Sequence, residues 1–192
     1  MSLWGATTTD ESKPKHLTDV EKRDVYATDE GWVKRTAGTG GRANRVHEEI
    51  LVAIGDLAGG TSTTAGLARG TISSINWNID AFDKSEGGTL SVTVNFNEAV
   101  DVTGTPQLTV VNDQRANHTL DYSSGTGTNR LTFVEPIAGG NSATSAGDVL
   151  SVGANAMSLN SGTVKDKGTN VTSTITNAAG IGTAAGTITV AA

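Results

Sequence analysis

Residues 87–111 read GGTLSVTVNFNEAVDVTGTPQLTVV, and residues 123–133 read SSGTGTNRLTF. Leu90, Val92, Val94 and Phe96 alternate with Ser91, Thr93 and Asn95. A period of two sends successive side chains to opposite faces of a strand, so the pattern predicts an apolar row on a core and a polar row in water. Turn residues end the run. The alternation then resumes through Leu108 and Val110. Working outward, strands are expected at 71–77, 88–96, 100–102, 107–111, 118–122, 130–134, 149–152, 171–175 and 187–190. Turn signals recur between them at intervals that suit an antiparallel β-sandwich of immunoglobulin-like type. Trp77, Phe96, Leu108, Tyr122, Leu131, Phe133 and Ile175 are the expected core.

Composition agrees with short strands and many turns. The chain has 192 residues, 24 of them Gly, with 4% aromatics and 36% hydrophobic residues. Its net charge of −6 gives no basic footprint, so nucleic acid is not an expected partner. It has no cysteine, which excludes disulfides and thiolate metal sites. The opening MSLWGATTTDESKPK lacks the apolar core of a secretory signal, and no apolar run reaches the length of a membrane span. The expectation is a protein made in a host cytoplasm, with no membrane partner.

The first third differs in kind. Residues 1–57 carry 8 Lys/Arg and 10 Asp/Glu, whereas residues 61–192 carry only 6 and 10. The shift falls at Ala58–Gly70, AGGTSTTAGLARG, which reads as a flexible linker. Three parts are therefore expected: an arm plus hairpin at 1–57, a linker at 58–70 and the sandwich at 71–192. Met1–Arg23 is polar, with Pro14 in its middle, and reads as extended or disordered, with a short helical turn within Leu17–Asp24. Gly31–Ala37 and Arg45–Ile54 read as two strands joined through Gly38–Gly41. A helix through Asn44–Leu57 is the competing reading. So few apolar side chains cannot offset the backbone entropy of ordering this segment, and a lone hairpin is marginal. The segment is expected to order by docking. Its own sandwich, another copy or a larger surface are the candidates, and an intermolecular dock is the preferred one.

Residues 88–170 resemble a bacterial immunoglobulin-like repeat of large surface adhesins and phage virion proteins. The resemblance rests on Phe96-Asn97-Glu98-Ala99-Val100, Val102-Thr103-Gly104-Thr105-Pro106-Gln107-Leu108, Tyr122-Ser123-Ser124-Gly125-Thr126-Gly127-Thr128, Leu131-Thr132-Phe133, Gly140-Asn141-Ser142 and Gly162-Thr163-Val164-Lys165-Asp166. One departure is Val134-Glu135-Pro136. Proline cannot donate to a ladder, so that strand should stop early or lie at an edge. Asp29-Glu30-Gly31-Trp32-Val33 and Glu48-Glu49-Ile50-Leu51-Val52-Ala53-Ile54 resemble a segment of small virion structural proteins of marine, cyanophage-like tailed phages. Together the two resemblances imply a phage virion structural protein, a capsid decoration protein above all, located in the virion. Its partners would be the major capsid protein or other virion proteins, with homo-oligomers plausible by symmetry. The alternative is an adhesin-type module on a tail, fibre or cell surface that binds a receptor or a host-surface glycan.

No motif argues for catalysis. His47-Glu48-Glu49 is half of a zinc-protease motif without its second histidine, and His16, His47 and His118 share no spacing. Gly38-Thr39-Gly40-Gly41-Arg42-Ala43 fits a dinucleotide fingerprint only in letters, and a hairpin turn is the plainer reading. Asp80, Asp83, Glu86, Asp101 and Asp166 are either solvated turn carboxylates or, as in related adhesin repeats, calcium ligands. No G-x-S-x-G occurs. The expectation is a protein that is not an enzyme and needs no cofactor or metal. The candidate assembly residues are Leu3, Trp4, Trp32, Arg35, Arg42 and Arg45. Trp4 beside Leu3 in a polar arm is either a tag or an anchor that fills a partner's pocket, the anchor being preferred. Trp32 is either hairpin core or contact. The arginines ring the expected turn, where they either meet acidic patches or remain solvated.

Overall fold

A computed structural model of the chain describes residues 13–14, 16–27, 31–37, 46–53 and 69–192. Residues 1–12 and 15 of the expected arm, the turn at 38–41 and residues 58–68 of the expected 58–70 linker lie outside the described residues. Nearly all regular structure is β, in two sheets.

The first sheet has three antiparallel strands in the order β1 (Val25–Ala27), β2 (Gly31–Ala37) and β3 (Val46–Ala53). The two expected strands are present, and the helical alternative does not form at 46–53. A third strand, β1, pairs Tyr26 with Val33. The register shifts between Trp32–Val52 and Val33–Ile50, which leaves Leu51 of β3 as the bulged residue. A 3-10 turn at Glu21–Asp24 leads into β1. It is fixed by a capping box: the Thr18 amide donates to the Glu21 carboxylate at 3.0 Å, and the Glu21 amide donates to Thr18 Oγ1 at 3.3 Å. Val25, Trp32 and Val33 are buried and lie outside the main core cluster; by register Val25 and Trp32 share one face of the sheet and Val33 the other.

The second sheet has nine strands: β4 (Ile72–Trp77), β5 (Phe82–Asp83), β6 (Gly87–Thr103), β7 (Gln107–Asn112), β8 (His118–Ser124), β9 (Thr128–Ala138), β10 (Val149–Ser158), β11 (Thr163–Asp166) and β12 (Thr187–Ala191). Hydrogen-bonded neighbours run β6–β5–β12–β10–β7–β8–β9 and return to β6, so seven strands close into a barrel. Strands β4 and β11 pair with β6 outside that ring. Every pairing is antiparallel except β12 with β5. A six-residue helix, α1 (Ala179–Ala184), packs on β10.

The quoted stretch organises this body. The two strands expected at 88–96 and 100–102 are one, β6. Its pairing with β9 slips between Asn95 and Val100, and beyond the slip it pairs with β11. Leu90, Val92, Val94 and Phe96 are fully buried, as the alternation requires. The polar row is not in water, however. Thr93 and Asn95 are also buried, because β4 supplies their partners and the adjoining turn adds Asn78. Thr93 Oγ1 donates to Asn78 Oδ1 at 2.9 Å, and Asn95 Nδ2 donates to Ser74 Oγ at 3.0 Å. Trp77, Phe96, Leu108, Leu131 and Phe133 are core, with Tyr122 and Ile175 packed on its margin. Residues 171–175 make only isolated bridges, Thr172 to Lys165 and Thr174 to Thr71, rather than the expected strand. Strand β9 runs through Pro136, but its registered pairs with β8 end at Val134. Pro136 therefore sits where one side of the strand is free of a ladder, the edge position its missing N–H requires.

Candidate functional site at the seam of the two sheets

Strand β3 brings the first sheet against the barrel. Its register sets Thr36 opposite His47 and Lys34 opposite Glu49. On the barrel side, the β8–β9 hairpin presents Asn129 and Arg130 at the start of β9. The hairpin is held by Tyr122, whose hydroxyl accepts the Thr126 amide at 2.8 Å. The two sides meet through polar atoms. Asn129 Nδ2 lies 2.8 Å from His47 Nε2, and Arg130 donates to Thr36 Oγ1.

His47 is 3% exposed. The Asn129 amide is a donor, so Nε2 accepts and the ring proton sits on Nδ1. Nδ1 has no partner among the described residues. Burial, with the Arg130 charge beside it, holds the imidazole pKa down to about 4. Glu49 is shifted the other way, upward, because burial outweighs the attraction of Lys34 and Arg130.

Further along the seam a groove opens. One wall is Glu49, Ile50 and Leu51; the other is Glu98, Ala99 and residues 166–169. Its floor holds two carboxyls. Asp166 is buried and accepts the Thr169 hydroxyl at 2.8 Å. Glu98, beside it, is pushed up to about 7 by burial and then by the Asp166 charge and hydrogen bond. Poor solvation and the neighbouring Asp166 charge both disfavour a negative charge on Glu98. Among the described residues, no three His, Asp or Glu side chains converge on a point that would suit a metal ion. The chemistry available is that of a proton-dependent polar contact.

The sequence-derived candidates fall differently. Trp32 is buried in the first sheet, 7% exposed, on the same face as Val25. Arg35 is on the outer surface, where its guanidinium meets Glu48 at 2.8 Å and covers the Tyr26 ring at 5.2 Å. Leu3, Trp4, Arg42 and Arg45 lie outside the described residues. Asp83 caps its own turn, accepting the Ser85 amide at 2.7 Å. His118 Nδ1 is paired with Glu135 at 3.1 Å. Nothing in the sequence marks Asn129, Arg130 or Glu98 as contact residues. In sequence, Asn129 and Arg130 are the tail of a turn and Glu98 is one letter of a strand motif. Only the fold brings them to β3. Against known proteins, no family model, no curated protein and no solved structure matches the chain.

Proposed function

We propose that this protein is a non-enzymatic phage virion structural protein, a capsid decoration protein whose residues 1–57 dock on the shell while residues 71–192 project outward. The barrel body is, on this reading, an immunoglobulin-like sandwich of the adhesin-repeat type. Gly104 takes φ +72, and a Cβ there would meet the Gly162 Cα at 2.8 Å, so the two motif corners pack backbone to backbone.

The observation that carries the docking role is the nature of the seam. Among the described residues, the buried apolar side chains of the first sheet, Val25, Trp32 and Val33, do not belong to the barrel's core cluster. The sheet's described hydrogen bonds to the barrel are polar side-chain contacts that leave buried His47 Nδ1 and Glu98 Oε1 without partners. Orphaned buried atoms cost free energy, so this contact is poorly optimised as a permanent one. A surface that satisfied those atoms would compete for the sheet. The partner on this reading is the major capsid protein or another virion protein.

The test is particle loading. Full-length chain and a variant lacking residues 1–57 are each mixed with particles that lack the protein, and bound chain is counted after sedimentation. Loading by the full chain alone supports the reading. Equal loading by the shortened chain overturns it.

A further inference from the structure

The seam between the two sheets has a property that assembly alone does not call for. Among the described residues, no carboxylate pairs with His47 at the barrel side. His47 faces an amide donor from Asn129 and a guanidinium from Arg130. We propose that this seam is an acid-released latch, in which the first sheet stays on the barrel only while His47 is neutral.

The geometry dictates the direction. A proton added at Nε2 would point at the Asn129 NH2 group, donor against donor. Turning the amide to offer its oxygen would withdraw the same NH2 from the Phe96 carbonyl, 3.5 Å away. The new charge would also sit beside Arg130 in a buried place where solvent screens charges weakly. Undocked, the imidazole meets solvent and titrates near its ordinary 6.5. Docked, it resists protonation down to about 4. A base with a depressed bound-state pKa contributes its stability above the free value. That contribution is lost as pH falls from 6.5 toward about 4, by up to about tenfold in the docking constant per pH unit.

Other charges face the same seam. From the first sheet these are Lys34 and Glu49; from β9, Arg130; from β6, Glu98; from the end of β11 and its turn, Asp166 and Lys167. Glu49 and Glu98 have raised pKa values, so their proton uptake favours the covered state and opposes His47 over part of this range. The opposition is incomplete for a structural reason. The Asp166 that helps raise Glu98 belongs to the barrel and stays with it when the sheet lifts. Both the burial of His47 and its Arg130 neighbour vanish on undocking. The latch stands on the seam alone and is independent of what the sheet binds once released.

The experiment is native-state hydrogen exchange on the full chain and on full-chain His47→Gln, at pH 7.0 and 4.5, corrected for intrinsic exchange. Gln offers Asn129 a carbonyl acceptor and does not titrate, and both proteins keep Glu49 and Glu98. The ratio of wild-type to variant opening constants for β2 and β3 amides is expected to rise at least about tenfold between the two pH values. An unchanged ratio overturns the latch. Should His47→Gln fail to dock at pH 7.0, the imidazole of the wild-type chain is titrated directly by NMR. A midpoint near 4 while β3 remains protected supports the proposal. A midpoint near 6.5 with β3 still protected overturns it.

Discussion

His47 and Asn129 stand 82 residues apart in the chain, and their side chains meet at 2.8 Å with both residues buried. The pair joins a sheet formed early in the sequence to a barrel strand formed late. Asn129→Ala would leave the His47 Nε2 lone pair buried and unanswered. The expected cost is about 1–3 kcal/mol in the docking of the first sheet. Hydrogen exchange should show it as faster opening of β2 and β3, with amides in β7 and β10 unchanged.

The barrel itself rests on its aromatic and aliphatic core. Phe133 is fully buried and meets the Tyr122 ring edge-on at a centroid distance of 6.0 Å. Phe133→Ala should cost about 3–5 kcal/mol, seen as a lower denaturant midpoint with an unchanged slope. A loss under about 1 kcal/mol would mean that the ring is not packed as described.

The hairpin that presents Asn129 depends on one glycine. Gly125 has φ +116, and a Cβ there would fall 1.9 Å from the Arg130 carbonyl oxygen. Gly140 also has a positive φ, +72, but open space around it. Gly140→Ala should therefore cost only the backbone strain of about 1–2 kcal/mol. Gly125→Ala adds a backbone collision and should cost distinctly more, while loosening the seam through displaced Asn129 and Arg130. Paired thermal melts of the two variants check the order.

Much of the barrel was legible because its physics is local. Alternation at 90–96 and 107–111 marks buried rows, and the glycines of SSGTGTN mark a hairpin whose backbone needs positive φ. The merging of two expected strands into β6 was not legible, since Asn97-Glu98-Ala99 reads as a break when only its polarity is visible. Burial of Thr93 and Asn95 was missed for a related reason. Polar residues go inside when a neighbouring element supplies partners, and Ser74 and Asn78 are supplied by the fold rather than by any nearby pattern. Strand β1 escaped notice because three residues, Val25–Ala27, are too few for a periodic signal. The seam was the least legible part, for it depends on side chains from β3, β6, β9 and the β11 turn meeting at long range. In sequence His47 reads only as half of a zinc-protease motif, and nothing there points to Asn129.

Glu98 gives a separate pH dependence for overall stability. Its folded pKa is raised from the ordinary 4.5 to about 7. A group raised in this way contributes stability that is full below about 4.5 and is lost as pH rises through about 7. Wild-type protein should therefore lose stability between pH 5 and pH 8 relative to Glu98→Gln, which keeps the shape but cannot ionise. Denaturant melts of both proteins across that range read the difference. Parallel pH curves would show that Glu98 ionises normally.

The reading as a decoration protein is tested most directly by an electron cryo-microscopy map of the particle that carries this chain. The expected map shows residues 1–57 in contact with the shell and the barrel of residues 71–192 standing outward. A map with the barrel seated on the shell and the first sheet facing solvent would contradict it, as would particles without the chain.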